Sequence, residues 1–123
     1  MLRGVRGATT VESNSREEIF RRTTELVQTI AAENGIVSED IGAVIFSSTP
    51  DLDAAFPAAA AREMGWAEVP LFGTQEIASP GGVARCIRVL VLWNTDKGQG
   101  DIRHIYLHGA AILRKDIAGP HQP

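Results

Sequence analysis

The spacing of apolar positions changes along the chain, and the changes divide it into elements. Leu2–Thr10 alternates, with Leu2, Gly4, Arg6 and Ala8 on one side and Arg3, Val5 and Gly7 on the other, which is the period of a strand. From Ser15 the period lengthens. Ile19, Phe20, Thr23, Leu26, Val27, Ile30 and Ala31 fall on one face of a helix of about five turns. Ser15-Arg16-Glu17-Glu18 offers a capping box at its start, and Asn34-Gly35 offers a stop suited to left-handed backbone. Arg16, Arg21, Arg22 and Glu25 read as its solvated face. Ser38-Glu39-Asp40 is a turn or short helical start, and Ile41–Ser48 is a second buried strand. The order strand, helix, strand predicts a right-handed crossover and a parallel pair.

After a turn over Thr49–Asp53, Phe56–Met64 reads as a helix, with Pro57 at its first position, a run of alanines, and Gly65 as its stop. Val69–Gln75 is a short strand near an edge, because Pro70 cannot donate to a ladder. A loop through Pro80-Gly81-Gly82 leads to Cys86–Trp93, the most apolar strand of the chain. Lys97–Gly100 turns the chain back into Ile102–His108, where Ile102, His104, Tyr106 and His108 share a face. Gly109 interrupts, and Ala110–Leu113 resumes an apolar run. The expected organisation is one domain over residues 1–116 and a loose tail over 117–123, which carries two prolines and a glycine.

Cys86–Trp93 poses the chemical question. Cys86, Arg88, Leu90 and Leu92 point one way, and Ile87, Val89, Val91 and Trp93 the other. Both faces are apolar, so the strand is expected to be central and covered on both sides. Arg88 is then a permanent cation in a buried position, where it needs an anionic partner.

Composition narrows what that partner is. The 123 residues are 44% hydrophobic and 22% charged, values of a globular protein with its own core. There is no apolar run of about 18 residues to span a membrane, and the opening residues show no signal-peptide pattern. The single cysteine excludes an internal disulfide and makes a cytoplasmic location the default. A net charge of −3 argues against nucleic acid as a partner, and makes inward-facing arginines more informative.

The residues left for chemistry are Arg6, Arg62, Glu76, Arg88, Tyr106 and Arg114. Arg6 is flanked by Gly4, Gly7 and Ala8; this is either room for a ligand at its head group or an edge-strand arginine in water. Phe56 is a hydrophobic staple or a pocket wall, and Arg62 a rim cation or a partner of Glu63. His104 and His108 have no assigned acid partner and nucleophile, and His-x-Tyr-x-His lacks a third metal ligand, so no metal is expected. Cys86 reads as an inert core thiol. Gly81-Gly82 is no phosphate loop, since no Lys-Ser/Thr follows. Arginine forks match carboxylates bidentately, so the set suits a small polycarboxylate carrying a hydroxyl for Glu76 to accept.

Several separated motifs, in order over Leu2–Asp116, resemble one family. They are Arg-Gly-Val-Arg-Gly-Ala-Thr-Thr-Val at Arg3–Val11; Ser48–Leu52 with Phe56-Pro57-Ala58; Gln75-Glu76; Gly81-Gly82 with Cys86–Val89; and Ile102–Leu107. Together they are similar to the monofunctional AroH-class chorismate mutases. The resemblance implies an α+β chain, a mixed sheet with covering helices, forming a pseudo-α/β-barrel homotrimer with active sites at subunit interfaces. It also implies the Claisen rearrangement of chorismate to prephenate, with no cofactor, metal or covalent intermediate. By the resemblance, Arg6 and Tyr106 hold the enolpyruvyl carboxylate, Arg88 reaches a carboxylate and the ether oxygen, and Glu76 accepts from the ring hydroxyl. Phe56, Ala58, Arg62 and Phe72 come from the neighbouring subunit, Thr74 lies among the substrate-binding residues, and Leu113 and Arg114 lie near the mouth. Two positions depart from the family pattern: Gly73 stands where a cysteine is common, and Ala59 where a lysine can follow Phe-Pro-Ala. A second reading takes these as drift toward a trimeric carboxylate-binding module that has lost catalysis.

Overall fold

The computed structural model describes residues 1–113. The expectations for Arg114 and for the tail over 117–123 lie outside the described residues. In chain order the elements are β1 (Leu2–Thr10), α1 (Arg16–Asn34), β2 (Ile41–Ser48), α2 (Pro57–Glu63), β3 (Leu71–Gln75), β4 (Cys86–Asn94) and β5 (Ile105–Tyr106). The strands form one mixed sheet in the order β3-β2-β4-β1-β5.

β4 runs antiparallel to both β1 and β2 and lies between them. The two strands that flank α1 therefore point the same way but do not pair, contrary to the direct parallel pair expected from their order. The crossover leaves a gap one strand wide. The most apolar strand fills it, which gives β4 two ladders and the central place.

One face of the sheet is the core. α1 lays Ile19, Leu26, Val27 and Ile30 on the face that carries Val5, Val44, Phe46, Ile87, Val89, Val91 and Trp93. Each large aliphatic side chain buried this way contributes about 1.5–3 kcal/mol. The close approach requires Gly7: a Cβ there would sit 2.7 Å from Ile30 Cδ1. Gly7 thus makes room for α1 on the face opposite the Arg6 side chain.

The capping residues act as expected, with one change. Ser15 Oγ accepts from the Glu18 N–H at 3.2 Å, but Glu18 Oε1 accepts from the backbone of Glu12 rather than of Ser15. Gly35 closes α1 at φ 74°. Arg16, Arg21 and Glu25 are solvated, whereas Arg22 is buried. Its Nη1 donates to the Thr10 carbonyl at 3.0 Å, and Glu18 and Glu12 carboxylates stand within 3.7 Å. A guanidinium placed beside two carboxylates and a strand-end carbonyl tolerates burial that a lone one does not.

Among the described residues the other face carries no α-helix; only the 3₁₀ turn His108–Leu113 packs on it, over Ala8 and Cys86. On it Cys86 is buried, Leu90 and Leu92 are half-buried, and Arg88 is exposed. The expectation that β4 is covered on both sides therefore fails within one chain. The C-terminal edge also differs from the expected strand over Ile102–His108, since only Ile105–Tyr106 pairs with β1. Side chains replace the rest of the ladder. The Gln99 amide bonds both N–H and C=O of Gly4, the Asn34 amide bonds both N–H and C=O of Arg103, and His104 accepts from the Arg6 N–H. His108, at φ 52°, ends the strand, and His108–Leu113 continues as a 3₁₀ turn.

Candidate active site

The sheet register assembles the site. Thr74 on β3 pairs with Ser47 on β2, Ser47 with Arg88 on β4, Arg88 with Ala8 on β1, and Ala8 with Tyr106 on β5. Residues on one rung point to one face. This rung crosses all five strands on the uncovered face. Two residues along β1, on the same face, stands Arg6. Glu76 follows the end of β3, where its backbone N–H donates to the Ser48 carbonyl at 2.9 Å.

These residues enclose a cleft of about 410 Å³, lined by Arg6, Ser47, Thr74, Glu76, Arg88 and Tyr106 together with Ile45, Ile77 and Leu90. The set Arg6, Glu76, Arg88 and Tyr106 is thus brought together. Arg88 is not the buried cation that the apolar strand suggested. Its side chain is 47% exposed, and its Nε stands 3.5 Å from Glu76 Oε1. Ser47 Oγ donates to the same carboxylate oxygen at 2.5 Å. Arg88 thus lines the cleft from the central strand of the sheet, a preorganised place for a cation that meets an anionic ligand.

Phe56, Ala58, Ala59 and Gly73 do not join this cleft. They line a second cavity of about 660 Å³ with Arg16, Phe20 and Leu52, and Ser47, Thr74 and Gln75 border both cavities. Phe56 is 79% exposed, which makes it a wall of that cavity and not a staple. Phe72 is exposed on the uncovered face, on the rung of Ile45 and Leu90. Arg62 is exposed on α2 and borders neither cavity. Leu113 packs with Tyr106 against a small cluster of Ala8, Cys86 and Ala110. A Cβ on Gly73 would meet nothing within 4 Å, so its backbone is free for a side chain that the chain does not supply.

Burial raises the Cys86 thiol pKa, and the nearby Arg88 charge opposes the shift without cancelling it. The thiol is therefore a poor nucleophile, in keeping with its reading as a core residue. Burial, and secondarily the charge of Arg6, lowers the pKa of His104. Among the described residues no cluster of three His, Cys, Asp or Glu side chains is placed to hold a metal ion. No helix among them is long and apolar enough to cross a membrane.

Two contributors escaped the sequence reading. Ser47 orients Glu76, and its signal was the polar end of the otherwise apolar run Ile41–Phe46. His104 bonds the backbone of Arg6; its only signal was a place two residues before Tyr106 on the same expected face.

Fold and cleft together define an α+β sheet protein with a cationic, carboxylate-braced cleft on its uncovered face. A model of the family "Chorismate mutase type I" matches residues 2–117, and the chain belongs to that family. It is 50% identical over 118 residues to Chorismate mutase AroH of Thermus thermophilus, covering 95% of this chain and 97% of that one. It is 46% identical over 119 residues to Chorismate mutase AroH of Bacillus subtilis (strain 168), covering 96% and 94%. The solved chorismate mutase from Clostridium thermocellum superposes with a TM-score of 0.88 at 49% identity, over 89% of this chain and 98% of that one.

Proposed function

We propose that this protein is a chorismate mutase, an isomerase that converts chorismate to prephenate in the biosynthesis of phenylalanine and tyrosine. The observation that carries the reading is Arg88: a guanidinium on the central strand, braced by Glu76 at 3.5 Å and open to a cleft shared with Arg6 and Tyr106. Family membership and the relatives' names support the same reading.

The rearrangement breaks the ether C–O bond as a C–C bond forms within the same molecule. No proton leaves, and no nucleophile attacks. Negative charge grows on the ether oxygen, where a fixed guanidinium binds the transition state more strongly than the ground state. One preorganised donor of this kind is worth about 2.7–4 kcal/mol. A modest enzymic acceleration of about 10⁶ asks for ~8 kcal/mol, and holding the substrate in its compact reactive conformer supplies the rest. Arg6 and Tyr106 take one carboxylate, and Glu76 accepts from the ring hydroxyl while Ser47 holds it in place.

The protein works as a homotrimer in this proposal. Support comes from the division of the expected residues between two cavities, and from Phe56 and Phe72, which one chain leaves 79% and 64% exposed. Phe56, Ala58, Ala59, Arg62 and Phe72 of a neighbouring copy would close the cleft that Arg88 opens. A cytoplasmic setting belongs to the same reading. The test is incubation of pure protein with chorismate and no cofactor, while following loss of chorismate absorbance and appearance of prephenate. Binding without turnover would instead favour the carboxylate-binding module. Light scattering should give three times the mass of the chain.

A further inference from the structure

We propose that His104 is a positioning residue: its neutral imidazole holds the β1 backbone at Arg6, and protonation releases that hold. The inference rests on the role proposed above for Arg6. The even-numbered N–H groups of β1 point to the sheet edge that β5 occupies. β5 is only Ile105–Tyr106, so the ladder stops one rung short of Arg6. At that rung His104 Nδ1 accepts the Arg6 N–H at 2.9 Å. The ring thus substitutes for a backbone carbonyl in fixing a residue that lines the cleft.

A backbone carbonyl does not titrate, but an imidazole does. A proton on Nδ1 removes the only lone pair that faces the Arg6 N–H and turns acceptor into donor. It also puts a second cation beside the Arg6 guanidinium. The ring is half-buried, and both burial and Arg6 favour its neutral form. Of the charged groups on the elements around it, Arg6 on β1 acts on the ring directly. On α1, Glu33 is engaged by Arg103 at 3.4 Å and Glu25 by His108 at 2.8 Å. Arg6 is therefore held in place at neutral pH and loosened in acid.

His104→Asn and His104→Leu separate the roles. Asn carries an acceptor oxygen on the same branch as Nδ1 and does not titrate; Leu has similar bulk and no acceptor. Across about pH 5 to 9, wild-type kcat/KM for chorismate is expected to be flat at the alkaline end and to fall in one limb below about pH 6.5. His104→Asn should stay within about threefold of wild type at neutral pH and lose the limb. His104→Leu should lose about tenfold at every pH, mainly through KM, the change expected from one broken hydrogen bond under a binding residue. An acid limb that persists in His104→Asn overturns the proposal, as does a wild-type KM in His104→Leu. NMR decides the matter without turnover. The Arg6 amide should shift with the same midpoint as the His104 ring, and an amide indifferent to that midpoint overturns the proposal. If chorismate is not converted while the two titrate together, the functional reading fails and the positioning role stands.

Discussion

Ile87 and Arg88 are neighbours on β4, yet the first is fully buried and the second has nearly half its side chain in solvent. The alternation that sends Ile87, Val89, Val91 and Trp93 under α1 sends Arg88, Leu90 and Leu92 to a face that one chain leaves open. The helix-covered face holds the fold together. The open face borrows that rigidity: its rung Thr74–Ser47–Arg88–Ala8–Tyr106 is fixed by ladders whose other side is packed core. The backbone that carries Arg88 is thereby held by packed core while the charge stays open to the cleft.

Substitutions on the two faces should fail in different ways. Ile87→Ala should cost about 2–5 kcal/mol in denaturant unfolding, with KM for chorismate little altered. Wild-type stability in that variant would break the contrast. Glu76→Ala should lower kcat/KM by about 10- to 100-fold, as expected for a hydrogen bond to a charged group. Its stability should change by less than about 1 kcal/mol, because the ion pair with Arg88 is partly exposed. Near wild-type activity would remove Glu76 from the site.

The pH dependence of stability is smaller again. The His104 pKa is lowered on folding, so the unfolded chain binds its proton more readily than the folded one. The stability from this group is present above about pH 6.5 and is lost as pH falls through that value toward the lower folded pKa. Melting curves should show this decline in wild type and a flatter course in His104→Asn; identical slopes would contradict it. The smallest effect is expected for Phe72→Ser, on the open face. Unfolding of the single chain should change by no more than about 0.5 kcal/mol, while sedimentation should show weaker association. Unchanged association would place the interface elsewhere.

Local elements were legible because local chemistry fixes them. β1 and β2 begin and end where the alternation does, Ser15 and Gly35 bound α1, and Pro57 starts α2. The two residue sets of β4 were separable by parity alone. Strand order was not legible, because β4 reaches its place between β1 and β2 through pairings distant in sequence. The exposure of Arg88 was missed for a related reason. Leu90 and Leu92 make its face look like core, but no helix among the described residues covers them. Arg22 was misread because its partners, the Thr10 carbonyl and Glu12, precede the helix and come within reach only when β1 packs on α1. β5 shrank because Gln99, Asn34 and His104 side chains make bonds that a period-two pattern assigns to backbone. The division of Arg6, Glu76, Arg88 and Tyr106 from Phe56, Ala58, Ala59 and Gly73 into two cavities has no sequence signal, since it follows from strand order and pairings distant in sequence.

In the proposed reaction Arg88 is the group that meets growing charge on the ether oxygen. The most direct measurement is kcat and KM for chorismate in Arg88→Gln, with circular dichroism to show a folded chain. A loss of about 10²–10³ in kcat with a smaller rise in KM is expected, the mark of an interaction made in the transition state. An unchanged kcat with only a raised KM would contradict it.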